Sequence, residues 1–161
     1  MTSTTRQTWL ERTLIGLDHI AERRGQGESL PPHLATGTAG EDAAFFYLRS
    51  KGYTVVARRW SSGDVPGDLD LIAWQGVMLC FIEVKTRTAR DMTPAESAVD
   101  AHKRTILRRL ARRYVRQLPL PSAPSVRFDV LSVYLVPGET KEFVHFEAAF
   151  GWYDSSLRSA L

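Results

Sequence analysis

The sequence predicts an α/β domain in which a mixed central sheet is flanked by helices and the elements follow the order α-β-β-β-α-β-β. Two observations predict it. Several short runs are rich in β-branched and aromatic residues and are bounded by turn residues. Two longer segments instead space their apolar residues at helical intervals, and each follows a capping signal. With 161 residues, the chain is long enough for one domain with its own core.

The first helix is predicted to begin at Thr38, because this hydroxyl residue and Glu41, three positions later, fit a capping box. The helix should run to about Ser50 and end at Gly52. Its buried side would carry Ala44, Phe45, Tyr47 and Leu48. Glu41 therefore has a structural explanation as the capping glutamate.

A second helix is predicted after Thr93-Pro94-Ala95-Glu96, another capping signal. Asp100 would restart or continue this helix, which runs to about Leu118. Its apolar stripe comprises Leu107, Leu110, Ala111, Tyr114 and Leu118. From Lys103 to Arg116 seven residues are basic and none is acidic, which favours a polyanionic partner.

The strands are predicted at residues 53–60, 68–74, 77–86, 127–136 and 142–150. Residues 61–67 would form a loop, and tight turns are expected at Gln75-Gly76 and Pro137-Gly138.

The compact domain is predicted to span residues 37–150, followed by a tail at 151–161. Residues 1–36 form an N-terminal extension in this interpretation. Within it, residues 9–24 fit an amphipathic helix, and residues 25–37 fit a linker rich in glycine, proline and serine. The segment 1–24 is a candidate surface for a homodimer or another protein partner.

The composition excludes several classes of protein. The single cysteine, Cys80, cannot form an internal disulfide, and no apolar run is long enough to span a membrane. Residues 1–24 carry charges throughout and lack the apolar stretch of a secretory signal, so the cytoplasm is the expected compartment. The four histidines are scattered without the spacing of zinc ligands.

Charged residues on the two strands around Gln75-Gly76 form a candidate site. A turn at these residues would pair Trp74 with Val77 and set Asp70 opposite Phe81. Side chains alternate between the two faces of a strand. On this register, one face of the sheet carries Asp68, Asp70, Glu83 and Lys85.

Carboxylates crowded on a strand as apolar as 79–84 repel one another and lose hydration, so something must compensate. A divalent cation would do so, and Mg²⁺ favours a few carboxylates plus water and substrate phosphate. Lys85 could orient a water or stabilise charge on a phosphate. The alternative is that Glu83 and Lys85 form an ordinary exposed ion pair. Arg127 and Asp129 could equally form a structural pair.

These motifs together resemble the YraN family, an endonuclease-like family similar to the archaeal Holliday-junction resolvases of the PD-(D/E)xK nuclease superfamily. The matching segments are Gly40-Glu41, Gly67-Asp68-Leu69-Asp70-Leu71-Ile72, Phe81-Ile82-Glu83-Val84-Lys85-Thr86-Arg87, Lys103 and Arg127-Phe128-Asp129-Val130. The resemblance covers about residues 38–150 and implies a restriction-endonuclease-like core.

The resemblance also implies roles for individual residues. Asp70 and Glu83 would bind Mg²⁺ (or Mn²⁺), with the carbonyl of Val84 as a further ligand. Lys85 would be the catalytic lysine, and Glu41 would match the helix glutamate of the resolvase branch. The chain departs from the family at one point, because it has Gly-Asp-Leu-Asp where the family usually has Gly-Glu-Ile-Asp.

The resemblance and the charge pattern predict a Mg²⁺-dependent endonuclease that hydrolyses phosphodiester bonds in DNA, at branched or damaged structures. The residues predicted to contact nucleic acid are Arg87, Lys103, Arg104, Arg108 and Arg112. A second interpretation is a nucleic-acid-binding or adaptor module without catalytic activity, built on a nuclease fold. Metal binding that depends on Glu83 would favour the enzyme.

Overall fold

The computed structural model describes residues 32–90 and 99–153, and the predicted order of elements is confirmed. The elements are α1 Pro32–Ser50, β1 Thr54–Ser62, β2 Val65–Gln75, β3 Met78–Arg87, α2 Ala101–Arg116, β4 Ser125–Tyr134 and β5 Glu142–Phe150. The fifth strand has the predicted bounds, and the others differ from prediction by a few residues at one or both ends.

The five strands form one mixed sheet in the order β1-β2-β3-β4-β5. All neighbours are antiparallel except β3 and β4, which run parallel and are connected through α2. The two helices cover opposite faces. The core on the α1 side includes Ala44, Leu48, Leu71, Ile82 and Leu131. The core on the α2 side includes Leu79, Phe81, Leu107, Leu110 and Phe128. The chain is therefore a helix–sheet–helix sandwich, as predicted.

The first helix begins at Pro32, earlier than predicted. Thr38 lies inside α1, so the predicted capping box is wrong, and residues 32–37 are helical rather than part of a linker. Glycine and threonine have low helix propensity, and that signal misplaced the boundary. The predicted end is correct, because Gly52 has φ of 85° just after the helix.

The predicted loop at residues 61–67 is wrong as well. β1 and β2 continue into a tight hairpin, in which Ser62 pairs with Val65 around a turn at Gly63-Asp64. Two residues are enough to join antiparallel strands.

The hairpin between β2 and β3 turns at Gly76-Val77 rather than at Gln75-Gly76, and Gln75 pairs with Met78. Gly76 has φ of 58°, which glycine adopts without strain and which a tight hairpin turn requires. The predicted register was wrong by two residues. A shift of two preserves the face on which each side chain was predicted, although Asp70 no longer lies opposite Phe81.

The second helix is capped by Asp100, whose side chain accepts a hydrogen bond from the N–H of Lys103 at 2.8 Å. Asp100 therefore starts this helix, and the capping signal at 93–96 lies outside the described residues. The predicted stripe is confirmed for Leu107, Leu110, Ala111 and Tyr114, all of which are buried.

The amphipathic segment and partner surface predicted at residues 1–24 lie outside the described residues. Of the predicted tail, residues 151–153 are described, and Trp152 packs edge-on against Phe128 with ring centroids 5.1 Å apart. Trp152 thus packs against the core, whereas Gly151 and Tyr153 are exposed. Neither of the described helices is long and apolar enough to cross a membrane.

Candidate metal centre

The candidate site lies where β2 and β3 separate. Their antiparallel ladder ends at the pair Leu71 and Ile82, and one residue further along the same register Asp70 comes opposite Glu83. Here the N–H of Val84 donates to Oδ2 of Asp70 at 2.7 Å. The Asp70 side chain thus accepts the bond that a backbone carbonyl of β2 would accept if the ladder continued. At this open end of the hairpin, Asp70 and Glu83 come together.

A cleft of about 460 Å³ opens at this point, between α1 and the sheet. Its lining includes Glu41 of α1, Asp70 of β2, and Glu83, Val84 and Lys85 of β3. The four residues predicted to be catalytic therefore meet in one cleft. Asp68, which was predicted to share their face, is not part of the lining.

The close packing of α1 on β3 depends on Gly40. A Cβ atom added to this residue would lie 1.8 Å from Oγ1 of Thr86 and 2.8 Å from its Cβ. Such distances are far below van der Waals contact, so any side chain here would push the helix off the strand. Because Glu41 follows directly, the contact also determines how close Glu41 comes to the cleft.

Glu83 is a buried carboxylate, 4% exposed, with one satisfied oxygen. Nζ of Lys85 donates to Oε1 at 2.9 Å, and Nζ of Lys103 lies 3.4 Å from the same oxygen. Oε2 is buried without a hydrogen-bond partner among the described residues. An unsatisfied buried polar atom is unfavourable by about 1–3 kcal/mol. The alternative of an ordinary exposed ion pair between Glu83 and Lys85 is therefore wrong.

Two features of its surroundings disfavour the ionised form of the Asp70 carboxyl. Burial raises the pKa of its carboxyl and the charge of Glu83 raises it further, to about 7, while the hydrogen bond from Val84 acts in the opposite direction. Two carboxyl groups that resist simultaneous ionisation are the arrangement that a divalent cation relieves.

Glu41 lines the cleft but is bonded elsewhere. Nε of Arg59 donates to Oε2 of Glu41 at 2.6 Å, and Nη2 of Arg59 donates to Oγ1 of Thr38 at 2.8 Å. Within residues 32–90 and 99–153, no three acidic, histidine or cysteine side chains are grouped closely enough to hold a metal ion. Asp70 and Glu83 are therefore the candidate metal ligands, and Glu41 is bonded to Arg59 instead.

In the arginine row predicted to contact nucleic acid, Arg108 is buried and Arg104 is partly buried, whereas Arg112 is exposed. Arg108 is buried, and its Nε donates to the carbonyl of Gly151 at 2.8 Å. Arg104 and Arg108 each lie 5.6 Å from the ring of Phe150, and Arg112 lies 5.5 Å from that of Trp152. Helical spacing showed that these arginines share a face, but the aromatic residues that cover the face come much later in the chain.

Other basic residues are accessible as well. Arg109, Arg113 and Arg116 are exposed on α2, and Arg113 forms an ion pair with Asp64. Arg87 lies at the end of β3 and is partly exposed.

Lys103 was predicted to contact a phosphate, and the structure turns it towards Glu83. The signal for this position was Asp100, because capping by this residue fixes Lys103 in the first turn of α2. The position of that turn beside β3 is a tertiary feature, which the sequence pattern did not reveal.

A second buried acid, Asp129, has all its hydrogen bonds satisfied. Oδ1 accepts from Nε of Arg127 at 2.8 Å and from the N–H of Ala148 at 2.9 Å, and Oδ2 lies 3.0 Å from Nε2 of His145. Burial alone would raise the pKa of this carboxyl, but the bonds from His145, Arg127 and Ala148 lower it below its ordinary value. The structural interpretation of the Arg127–Asp129 pair is confirmed.

Comparison with known families decides where the chain belongs. A family model described as uncharacterised protein family UPF0102 matches residues 40–133, which include Glu41, Asp70, Glu83 and Lys85. The chain is a member of this family. The UPF0102 match confirms the YraN-like family membership predicted from the motifs.

Individual relatives agree with this assignment. A UPF0102 protein of Koribacter versatilis (strain Ellin345) is 53% identical over 105 residues, covering 65% of this chain and 72% of that protein. A UPF0102 protein of Solibacter usitatus is 47% identical over 122 residues, covering 76% and 90%. One of Porphyromonas gingivalis is 41% identical over 121 residues, covering 73% and 85%.

Proposed function

We propose that this UPF0102 protein is a Mg²⁺-dependent endonuclease that hydrolyses phosphodiester bonds in DNA. The observation that carries the proposal is the buried pair Asp70 and Glu83. Burial and the Glu83 charge raise the pKa of Asp70 to about 7, and Glu83 leaves Oε2 without a partner among the described residues. A divalent cation would replace the proton on the Asp70 carboxyl. It would also supply the partner that Oε2 of Glu83 lacks. The motif resemblance to nucleases supports the same chemistry.

The residues present fit Mg²⁺ in type and number. Asp70 and Glu83 would be its carboxylate ligands, and the carbonyl of Val84 is the further ligand that the resemblance implies. Mg²⁺ commonly binds through one or two carboxylates and keeps several waters, so Glu41 is not required. When bound, the ion would polarise the phosphodiester and lower the pKa of a bound water.

Lys85 would act on the attacking water or on the phosphate. Its Nζ donates to Oε1 of Glu83 at 2.9 Å, yet its side chain is 32% exposed towards the cleft. The ammonium is thus anchored at the proposed metal ligand and open to a substrate. From there it would orient the water or stabilise charge that develops on the phosphate.

Charge supports a nucleic acid as substrate. The chain has a net charge of +3, and Arg109, Arg113 and Arg116 form an exposed basic surface on α2. These residues, the exposed Arg112 and Arg87 are the candidates for contact with the phosphate backbone, whereas Arg104 and Arg108 pack on Phe150. Backbone contacts of this kind are independent of base sequence.

Cleavage assays on labelled duplex, single-stranded and four-way-junction DNA test the proposal. We expect cleavage that requires Mg²⁺ or Mn²⁺ and that falls by about 100-fold or more in Asp70→Asn, Glu83→Gln and Lys85→Met. Lys141→Met removes the same charge from an exposed lysine outside the cleft and should leave cleavage unchanged. Cleavage that survives all three cleft substitutions would come from a contaminant and would remove the proposal.

A nucleic-acid-binding or adaptor module without catalysis is the second candidate, and the Glu41–Arg59 contact favours it. That contact engages the acid that the resemblance assigns to the active site. The module predicts salt-sensitive DNA binding that needs no metal, with no cleavage of any of the three substrates. Cleavage that depends on Glu83 would exclude it.

A further inference from the structure

Arg59 has a backbone conformation that is rare for a residue with a side chain. Its φ is +47°, and among the described residues only Arg59 and Ala148 combine a side chain with positive φ. Such a conformation is unfavourable for an arginine and is often found at functional sites. We propose that Arg59 binds a phosphate group of the nucleic acid at the cleft and exchanges its partner Glu41 for that phosphate. This inference rests on the proposed function.

Arg59 lies beside the proposed metal centre. β1 and β2 are paired on both sides of it by Arg58–Leu71 and Trp60–Leu69. Arg59 itself therefore comes opposite Asp70 on the neighbouring strand. Any phosphate held by Arg59 would be close to the acids that we assign to the metal.

The guanidinium reaches across to the wall of the cleft. It donates to Glu41, which lines the cleft, and to Thr38, one helical turn earlier in α1. The Arg59 side chain is 48% exposed and the Glu41 side chain 17%. An ion pair as exposed as this contributes little stability, so a phosphate can replace the carboxylate. The planar fork of donors on arginine also matches two phosphate oxygens.

The local charge explains why a cation is needed here. Glu41, Asp42 and Asp68 all act electrostatically on Arg59. Asp42 is paired with Arg58, so without Arg59 the acidic charge on this side of the cleft comes from Glu41 and Asp68. The two lysines at the centre are both directed at Glu83. A polyanion that approaches past α1 therefore meets Arg59 as its counter-charge. Binding of the polyanion to Arg59 would release Glu41 from its ion pair with Arg59. The charge of Glu41 acts on Asp70.

The substitution Arg59→Asn tests the inference, because asparagine tolerates positive φ while it removes the guanidinium and its charge. Binding of a fluorescein-labelled DNA duplex is measured by anisotropy over a range of salt concentrations in EDTA, where no cleavage is expected. We expect the slope of log affinity against log salt to decrease by about one, and affinity at low salt to fall about five- to tenfold. Arg59→Lys, which keeps the charge, should restore the slope.

Two further variants complete the test. Arg49→Asn removes an exposed arginine from the last turn of α1 and should leave the slope unchanged. Glu41→Gln removes the charge that competes with the phosphate and should strengthen DNA binding several-fold. An unchanged slope in Arg59→Asn overturns the inference, whether or not that variant is less stable. If cleavage still depends on Asp70, the proposed function survives that result. Wild-type protein that neither binds nor cleaves DNA overturns both.

Discussion

Asp70 and Asp129 are both buried, yet their carboxyl groups have opposite environments. Three groups donate to or contact Asp129, and they lower its pKa despite burial. Asp70 has one backbone donor against burial and the charge of Glu83, so its pKa rises to about 7. The first arrangement stabilises the fold. The second destabilises it, which is the usual property of a site that awaits a ligand.

The substitution Asp70→Asn should therefore increase stability in EDTA at pH 8. Between the ordinary aspartate pKa of about 3.9 and the folded-state pKa of about 7, the folded protein binds more protons than the unfolded chain. The stability of the wild type thus falls as the pH rises through this range. Asparagine does not titrate and keeps an acceptor for Val84. We expect a gain on the order of 1–3 kcal/mol at pH 8, shrinking towards pH 4, by urea denaturation. A variant less stable than wild type at pH 8 would contradict this.

At the scale of elements, two contacts determine how neighbouring helices and strands pack. Gly40 lets α1 approach β3 at Thr86, beside Glu41. Asp129 of β4 binds the N–H of Ala148 in β5, where the pairing of these strands is irregular and Ala148 has φ of +53°. Each contact depends on one residue type that neither propensity nor periodicity singles out.

Gly40→Ala should lower stability, although alanine is the better helix former. The added methyl group would overlap Thr86, and overpacking of this kind is unfavourable by about 1–3 kcal/mol. Gly37→Ala is the matched control in the same helix. Apart from its chain neighbours and the backbone of the helix itself, no atom of the described residues lies within 4 Å of the point that a Cβ atom would occupy there. The substitution should therefore stabilise by about 0.5–1 kcal/mol. Thermal or urea unfolding of the two variants measures the difference, and equal effects of both would disprove the packing role of Gly40.

Asp129→Asn should lower stability at pH 7 by about 3 kcal/mol, because Arg127 loses its buried counter-charge. The folded-state pKa of Asp129 is lowered, so its stabilisation is present above the unfolded pKa near about 4 and is lost as the pH falls through the folded value. The difference in the free energy of unfolding between wild type and variant, measured by urea denaturation, should therefore become smaller in acid. A difference that is constant from pH 7 to pH 3 would show that the charge of Asp129 is not involved.

The elements were predictable where the local pattern is strong. The strand Glu142–Phe150 and the apolar stripe of α2 follow from alternation and helical spacing. The start of α1 was not predictable, since Gly37 and Gly40 weaken the helical signal and Gly40 is explained only by its contact with a distant strand. The turn between β2 and β3 was ambiguous, because Gly76 can belong to a turn at Gln75-Gly76 or to one at Gly76-Val77.

At the scale of the whole molecule, a sheet covered by a helix on each face opens a cleft where β2 and β3 separate and α1 passes. The convergence of Asp70, Glu83 and Lys85 could be predicted, because an error of two residues in register leaves side chains on the same face. The positions of Glu41, Lys103 and the arginine row could not. Their partners are Arg59, Glu83 and the aromatic residues at the end of β5, and only the tertiary fold brings these together.

Titration of metal-free protein with Mn²⁺, followed by calorimetry, tests the central claim most directly. We expect one ion per chain, displaced by Mg²⁺, and an affinity weakened by about 10- to 100-fold in Glu83→Gln and in Asp70→Asn. Glu139→Gln, at an exposed glutamate outside the cleft, should bind like the wild type. Wild-type protein that binds no Mn²⁺, or binds it no more tightly than Glu83→Gln, would contradict the assignment of a metal centre to Asp70 and Glu83.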